Sequence, residues 1–231
     1  MATGGAPIFT REKVNYARLC CLLIDVGSEV LRDTFNSIHY PAKLSEVLSR
    51  SSVKFILVGE KGESKLLNKA QKKVLYPKSS NVSVNDLDIT LLMILLRNIS
   101  KLSPPSRTRS WDKLPPRSDN SCEANIVRIK LYRNDVYAHA KKASVDDATF
   151  NKLWLKISNA ILALGENQAS VIDCLKTESM DPDVQEHYQR ALEEWVKSDV
   201  SIKEELQVVK GMQTLLKHLK NISFCWCGIM L

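Results

Sequence analysis

Apolar residues in this chain recur three and four positions apart over long stretches, which is the spacing of an amphipathic α-helix. In the first such stretch, Thr10 provides a cap for a helix that begins at Arg11 and runs to about Asn36. Only 8 Gly and 8 Pro occur in 231 residues, so the chain has few turn positions and the spacing predicts an all-α fold. The apolar stripe of the first helix consists of Val14, Leu19, Leu22, Leu23, Val26, Val30, Leu31 and Phe35.

Two apolar runs, at 84–99 and at 53–58, bear most directly on this prediction. Ser83 with Asp86 three residues later has the pattern of a capping box, and it predicts a helix over about 84–99. That helix is apolar nearly all round, so we expect it to be central and buried. The run 53–58 fits either a short strand or the end of a helix. We favour the helix because no partner strand is recognisable elsewhere in the sequence.

The order of helical patterns, loops and charged runs predicts four parts. We expect a flexible leader at 1–9, followed by a helical domain at 10–165 that contains a basic, proline-rich loop at 100–119. Residues 166–220 should form C-terminal helices, including a long charged helix that ends near Lys220 and packs on the bundle or extends from it. An apolar tail that contains Cys225 and Cys227 occupies 221–231.

The cysteines and the apolar runs limit the chemistry that we expect. None of the 6 cysteines has the Cys-x-x-Cys spacing of a zinc or redox site, and only 4 histidines are present. We therefore expect buried thiols in a reducing cytoplasm, with no metal and no cofactor. The first residues lack the charged start and apolar run of a secretory signal. The longest apolar stretch, at 91–96, is far short of the roughly 20 residues that span a bilayer, so we expect no membrane span.

The positive charge of the chain is concentrated in one part. Residues 1–143 carry 24 basic and 13 acidic side chains, whereas the remainder carries 9 and 13. A basic half attracts a polyanion such as RNA, and an equally good interpretation is a set of solvated, lysine-rich helix faces. Trp111 would either stack on a base or hold the loop against the core. The candidate RNA-binding residues of the loop are Arg107, Arg109, Trp111, Lys113 and Arg117.

The segment Arg133-Asn-Asp-Val-Tyr-Ala-His139 carries the side chains that metal-free RNA cleavage requires. The reaction needs a base for the ribose 2′-hydroxyl, an acid for the leaving oxygen and positive charge beside the transition state. Histidine serves as base or acid near neutral pH, and arginine presents a planar donor fork to phosphate oxygens. Asn134 and Tyr137 are polar groups that would orient either one. The alternative is a structural role for Arg133 and His139 at the end of a helix.

The spacing of an arginine and a histidine is a weak signal by itself, because Arg32 and His39 show a similar spacing. We interpret that second pair as a surface arginine and a helix-end histidine near the negative end of the helix dipole. Six residues of an ideal helix turn by about 600°, which leaves the Arg133 and His139 side chains roughly 120° apart. Catalysis therefore requires a helix that bends or ends between them, or a site assembled across a dimer. It also requires both side chains to be exposed in a cleft.

Six segments carry a family resemblance: Leu75-Tyr-Pro, Asp86-Leu-Asp-Ile-Thr-Leu-Leu, Trp111-Asp-Lys-Leu-Pro-Pro, Glu123-Ala-Asn-Ile-Val-Arg-Ile-Lys, Arg133-Asn-Asp-Val-Tyr-Ala-His and Lys142-Ala-Ser-Val-Asp-Asp-Ala-Thr-Phe. They resemble the HEPN domain typical of the DAZ-interacting, RNA-binding zinc-finger ubiquitin ligases and their invertebrate relatives. The resemblance implies a HEPN-like helical bundle and a homodimer with Arg133 and His139 at the dimer cleft. It also matches Asn134 to the polar residue that follows the arginine. Members of the family bind RNA, and some HEPN proteins are metal-independent endoribonucleases.

The resemblance has a limit that concerns ubiquitin ligation. A ligase of that family needs a RING domain, and the sequence lacks the Cys/His cluster that would bind its zinc, so we expect no ligase activity from this chain by itself. Two hypotheses follow. In the first, the chain is an RNA-binding HEPN module that acts as an endoribonuclease through Arg133, His139 and Asn134. In the second, it is a non-catalytic oligomerisation or adaptor module with protein partners in ubiquitin or innate-immune signalling.

Overall fold

The described part of the chain is built from α-helices joined by turns and loops, and it contains no strand. The computed structural model describes residues 10–60, 62, 66–78, 82–139, 142–177, 179–181, 183–184, 186–188, 190–194 and 197. The all-α prediction is confirmed, and the run 53–58 is helical. Short turns of other helical types lie at Leu22–Gly27 (π), Val84–Asp86 (3₁₀) and Glu166–Gln168 (3₁₀). The α-helices are α1 (Arg11–Cys21), α2 (Ser28–His39), α3 (Leu44–Ser49), α4 (Ser51–Val58), α5 (Lys69–Leu75), α6 (Ile89–Asn98), α7 (Cys122–Tyr137), α8 (Asp147–Leu162) and α9 (Ala169–Thr177).

Helices α1 and α2 form one continuous rod, because the π-helical turn between them keeps the backbone helical. The rod begins where the Thr10 hydroxyl oxygen accepts a hydrogen bond from the Lys13 N–H at 3.4 Å. It ends at His39, slightly beyond the predicted end near Asn36. Its apolar stripe is buried as the spacing predicts except at Val14, which is half-buried, and Phe35 is among the most completely buried side chains. Helices α6, α8 and α9 all pack against this rod.

Among the described residues that follow α9, Tyr188 contacts the rod. The Tyr188 hydroxyl donates a 2.5 Å hydrogen bond to the Asp25 carboxylate, which the π-helical turn leaves exposed. Leu192 is fully buried in the core. The predicted leader at 1–9, the apolar tail at 221–231 and the part of the long charged helix beyond residue 197 lie outside the described residues.

Helix α6 is the apolar, buried helix that the sequence predicts, but it begins later than predicted. The capping box does form, with the Ser83 N–H donating to Asp86 Oδ2 at 2.9 Å, yet the turn that it closes is 3₁₀ and stops at Asp86. Leu87 is then extended and buried, and Asp88 caps α6 by accepting a hydrogen bond from the Leu91 N–H at 2.7 Å. The predicted start at 84 is wrong because the buried Leu87 interrupts the helix.

Helices α7 and α8 are the most extensively packed pair in the bundle. Ser121 caps α7 through the Ala124 N–H at 3.2 Å, and Asp146 caps α8 through the Thr149 N–H at 2.9 Å. The segment between α6 and α7 consists of turns, bends and backbone without regular secondary structure. Because α7 carries Arg133 and faces that segment, its packing decides where the candidate functional residues lie. The buried apolar side chains of the pair are Ala124, Ile126, Val127, Ile129, Tyr132, Val136, Phe150, Leu153, Trp154, Ile157, Ala160 and Ile161.

The second arginine–histidine pair, Arg32 and His39, has structural contacts at the end of α2. The Arg32 guanidinium is half-buried and donates to the Leu87 carbonyl oxygen at 3.1 Å, so it is not the surface side chain that we expected. His39 is the last residue of α2, as expected. Its Nε2 lies 3.0 Å from the Ser100 hydroxyl oxygen, and its ring centre lies 4.3 Å from that of Phe35. Both side chains therefore connect α2 to neighbouring segments, Arg32 to Leu87 and His39 to Ser100.

We expect His39 to make the stability of the fold depend on pH. Burial lowers the pKa of His39, and the positive charge of Arg50 lowers it further. The unfolded chain binds a proton near the ordinary pKa of about 6.5, so this stabilisation is complete above that pH. It is lost as the pH falls through the lower pKa of the folded chain. Urea unfolding at about pH 7.5 and about pH 5 should show the wild type losing more free energy of unfolding than His39→Gln.

A second variant checks the cause of this effect. Arg50→Gln removes the charge that contributes to the low pKa of His39, so it should reduce the pH dependence without abolishing it. Parallel pH profiles for the wild type and His39→Gln would contradict the role given to His39.

Candidate functional site

Arg133, the arginine of the predicted catalytic pair, is buried inside the bundle. Only 1% of its surface is exposed. Its Nη1 donates to Thr90 Oγ1 in α6 at 3.1 Å, and its Nε and Nη2 donate to Asn134 Oδ1 at 3.2 and 3.0 Å. A charged group is stable in such a place only when hydrogen bonds replace its hydration shell. Arg133 therefore joins the start of α6 to the C-terminal half of α7.

His139 lies beyond the end of α7, in the turn that follows the helix. Its N–H donates to the Val136 carbonyl oxygen at 3.0 Å, and its own carbonyl oxygen accepts from the Ala143 N–H at 3.1 Å. The side chain is half-buried, and its ring has no hydrogen-bond or ionic partner among the described residues. Of the predicted catalytic pair, His139 is accessible and Arg133 is not.

The pair meets one of the two geometric requirements for catalysis. Helix α7 ends at Tyr137, between Arg133 and His139, which is one of the arrangements that the 120° separation on an ideal helix allows. The second requirement, exposure of both side chains in a cleft, is not met by Arg133 in the single chain. A phosphate would reach this guanidinium only after α6 and α7 had changed their contacts. In this conformation Arg133 holds α6 and α7 together through its hydrogen bonds.

The cations that we predicted to bind RNA face solvent on the loop between α6 and α7. The Pro105 carbonyl oxygen accepts hydrogen bonds from the N–H groups of Thr108 at 3.1 Å and Arg109 at 2.8 Å, which makes a tight turn around residue 107. Arg109 has a positive φ of 48° in this turn. The exposed cations are Arg107, Arg109, Lys113 and Arg117.

Trp111 and Asp112 attach this loop to the bundle. The Trp111 ring is half-buried against the core, and the guanidinium carbon of Arg97 lies 5.8 Å from the ring centre. The Asp112 carboxylate accepts a hydrogen bond from Lys130 Nζ at 2.7 Å and lies 3.8 Å from Arg97 Nη2. Because Lys130 is almost completely buried, this ion pair is shielded from solvent on one side. Trp111 thus holds the loop against the core, which is one of the two roles that the sequence allowed.

Two further cations of α7, Arg128 and Lys130, have structural roles that we did not predict from the sequence. Arg128 is 8% exposed and donates to the Pro116 carbonyl oxygen at 2.6 Å and to Asn125 Oδ1 at 2.7 Å. A usable signal was the segment Ile126-Val-Arg-Ile-Lys130, in which cations are interspersed among apolar residues that have to be buried. A cation in such a segment needs a partner, and here the preceding loop supplies it.

The described cysteines carry free thiols. The expectation that they are buried is met by Cys20 and Cys21 but is wrong for Cys174, which is exposed, while Cys122 is half-buried. Burial, followed by the charge of Asp25, raises the pKa of Cys21 to about 12, so this thiol is protonated at neutral pH. In the described part of the chain, His, Cys, Asp and Glu side chains nowhere gather in threes or more in a way that would hold a metal ion. None of the helices found there combines the length and the apolar character that crossing a bilayer requires.

We expect Arg133 to contribute to the stability of the fold. Arg133→Met removes the guanidinium but keeps much of the side-chain length, so Thr90 and Asn134 lose their charge-assisted hydrogen bonds to it. The free energy of unfolding should fall by about 1–3 kcal/mol. Arg107→Met, at an exposed loop position, should change it by less than about 0.5 kcal/mol. Urea unfolding followed by far-UV circular dichroism measures both, and equal stabilities would contradict the packing role.

Comparison with known proteins gives consistent matches to one family. The family described as DZIP3/hRUL138-like HEPN matches residues 41–188. The chain is 26% identical over 164 residues to the E3 ubiquitin-protein ligase DZIP3 of Mus musculus, and 25% identical over 167 residues to that of Homo sapiens. These matches cover 70% and 71% of this chain but only 13% and 14% of the two relatives, so the chain spans about one seventh of their length. No solved structure matches the chain significantly.

The matched region contains the parts of the structure described above. It extends from just before α3 to Tyr188, and it therefore includes the loop between α6 and α7, Arg133, Asn134 and His139. It also takes up well over half of the chain, and the described residues within it form the helical bundle that a HEPN domain requires. The chain therefore belongs to the DZIP3/hRUL138-like HEPN family.

Proposed function

We propose that this HEPN domain binds RNA through the exposed face of the loop between α6 and α7. The observation that carries the proposal is the display of four exposed cations, at positions 107, 109, 113 and 117, on a loop that is attached to the bundle. Trp111, Asp112 and Arg128 make the attachments. A loop that is already ordered loses little conformational entropy on binding, so its charges contribute more than those of a free tail.

Contacts of this kind recognise the phosphate backbone of RNA rather than its bases. Exposed Arg and Lys side chains neutralise phosphates and release counterions, so the affinity should fall steeply as salt is added. Trp111 is half-buried beside Arg97 and is used for loop attachment, which favours sequence-tolerant binding over base stacking. With four cations on single-stranded RNA, the slope of log affinity against log salt concentration should be about −3.

Removal of the loop charges should weaken RNA binding. The triple variant Arg107→Ala, Arg109→Asn and Lys113→Ala deletes three cations, and asparagine tolerates the positive φ at position 109. Fluorescence anisotropy with a labelled single-stranded RNA should show a loss of affinity of at least about tenfold, and the salt slope should become less negative by about 2.

A charge-matched control separates this loop from the general basicity of the chain. The variant Lys54→Ala, Lys69→Ala and Lys73→Ala removes three exposed lysines from α4 and α5, and it should keep nearly wild-type affinity. If both triple variants lose the same affinity, binding follows net charge and the loop interface is wrong. If the wild-type chain shows no salt-sensitive binding at all, the RNA proposal is wrong as well.

We further propose that the single chain binds RNA without cleaving it. His139 is accessible and has the chemistry of a general base, but the developing phosphate charge would lack contact with the buried Arg133 guanidinium. Cleavage through Arg133, Asn134 and His139 would require a rearrangement that exposes Arg133. The HEPN resemblance implies a homodimer, and its formation is the event that we expect to cause such a rearrangement if one occurs.

Incubation of the wild type and His139→Ala with single-stranded RNA in excess EDTA tests the absence of cleavage. We expect the RNA to remain intact with both proteins. Cleavage by the wild type that is lost in His139→Ala and that leaves 2′,3′-cyclic phosphate ends would overturn this proposal and establish a metal-independent endoribonuclease. Sedimentation of the same samples would show whether a homodimer accompanies the cleavage.

A second candidate function is that of a non-catalytic oligomerisation or adaptor module in ubiquitin or innate-immune signalling. The observation in its favour is that α4 exposes two adjacent large apolar side chains, Phe55 at 62% and Ile56 at 39%. A neighbouring groove of about 700 Å³ is lined by Val58, Tyr76 and Pro77 together with four lysines. Exposed apolar patches of this kind are typical of surfaces that bind proteins. A folded wild-type chain that fails to bind RNA would favour this function.

A further inference from the structure

A cavity of about 280 Å³ lies between α7, α8 and the end of the loop that precedes α7. Cations, amides and one tyrosine provide its polar surface, and no carboxylate lines it. Arg133 and His139 do not line it either, so the cavity is distinct from the predicted catalytic pair. The lining residues are Arg117, Asn120, Asn125, Arg128, Tyr132, Leu155, Lys156, Asn159, Ala160 and Ala163.

Three cations reach this cavity, and they are Arg117, Arg128 and Lys156. Arg128 is held by its hydrogen bonds to the Pro116 carbonyl oxygen and Asn125 Oδ1, so its guanidinium is fixed before any ligand binds. Those two bonds use two of its five N–H donors. Among the described residues, neither Arg117 nor Lys156 forms an ion pair, and Lys156 Nζ lies 5.5 Å from the centre of the Tyr132 ring.

Tyr132 adds a hydroxyl donor beside these cations. Within the described part of the chain the hydroxyl makes no hydrogen bond, and burial raises its pKa, so it stays protonated. Two carboxylates act on the cavity from outside its lining: Asp119 interacts electrostatically with Arg128, and Asp135 with Tyr132. The Asp119 Oδ1 already accepts hydrogen bonds from the Ser121 N–H at 3.1 Å and hydroxyl at 2.7 Å. Both carboxylates remain anions, so the three cations that line the cavity exceed the neighbouring negative charges by one.

We propose that this cavity binds a phosphate monoester. Arg117 and Arg128 present guanidinium forks, Lys156 presents an ammonium group, and the phosphate accepts the remaining hydrogen bond from Tyr132. A monoester carries about 1.5 to 2 negative charges near neutral pH, whereas an internal diester of RNA carries one, so three cations favour the monoester. A volume of about 280 Å³ lies just below the range of pockets for drug-sized ligands, and it suits a phosphate with its ribose better than a run of nucleotides.

This site goes beyond the proposed RNA interface, because a small phosphate ester fills it without contact to the loop cations at 107, 109 and 113. Two ligands share the required chemistry, the terminal phosphate of an RNA and a free mononucleotide. The monoester group is common to both, and the choice of probes distinguishes them.

The test uses the full chain and two kinds of probe. AMP is titrated by calorimetry, and matched RNAs with phosphate or hydroxyl groups at their ends are compared by fluorescence anisotropy. We expect AMP to bind, or the phosphate-ended RNA to bind about tenfold more tightly than the hydroxyl-ended RNA. Lys156→Gln should reduce that binding about tenfold, and Tyr132→Phe should reduce it several-fold. The control Lys69→Gln removes an exposed lysine on α5 that does not line the cavity, and it should leave binding unchanged.

Each outcome leads to a decision. A preference for phosphate-ended RNA alone identifies a terminal phosphate as the ligand, and binding of AMP alone identifies a mononucleotide. If AMP fails to bind and the two RNAs bind equally, or if Lys156→Gln behaves like Lys69→Gln, the cavity is not a phosphate site. Binding of AMP without any binding of hydroxyl-ended RNA would contradict the loop interface and leave the cavity proposal intact. Far-UV circular dichroism of Tyr132→Phe and Lys156→Gln confirms that both variants are folded.

Discussion

Three cations of α7 are buried, and the positions of the neighbouring segments depend on the partners that these cations need. Arg128 donates to a loop carbonyl oxygen, Lys130 pairs with Asp112 in the same loop, and Arg133 donates to Thr90 in α6. An unpaired charge in such surroundings would cost several kcal/mol. The burial of α7 therefore requires hydrogen-bond partners on two sides. The loop provides them for Arg128 and Lys130, and the start of α6 provides one for Arg133.

The same chemistry explains why an arginine–histidine motif is ambiguous in this fold. A guanidinium fork that matches two phosphate oxygens also matches a threonine hydroxyl and a side-chain amide oxygen, and Arg133 uses it in the second way. Exposure of Arg133 for catalysis would leave those buried partners without their charge-assisted hydrogen bonds. His139 lies in a turn outside the helix and is under no such constraint. Any catalytic use of the pair thus competes with the packing of α6 on α7.

Most helices could be predicted from the sequence, because the spacing of apolar residues records which face of each helix is buried. The spacing of the run 53–58 fits either a strand or a helix, and the lack of a recognisable partner strand in the sequence led to the helix that forms. Helix ends were predicted less well where a tertiary contact intervenes. The capping box at 83–86 forms, but the Leu87 carbonyl oxygen accepts a hydrogen bond from Arg32, and the backbone is extended at Leu87 before α6 begins. The position of the exposed cations on a loop could be predicted, because the segment 100–119 is rich in proline and in basic residues. The cavity could not be predicted, because it depends on packing that brings together three separated side chains, Arg117, Arg128 and Lys156.

Loop and cavity would recognise a polyanion by different physical means. The loop cations are exposed, so water and salt screen them, and they attract any phosphate chain with little selectivity. Arg128 is recessed and fixed, so its attraction for an anion is screened less and depends more on the charge of the one group that enters. Arg117 belongs to both surfaces, being the last exposed cation of the loop and a lining residue of the cavity. An RNA bound along the loop cations would therefore have one end close to the cavity. The hydrogen bond from Arg128 to Pro116 would fix the position of the loop relative to the cavity.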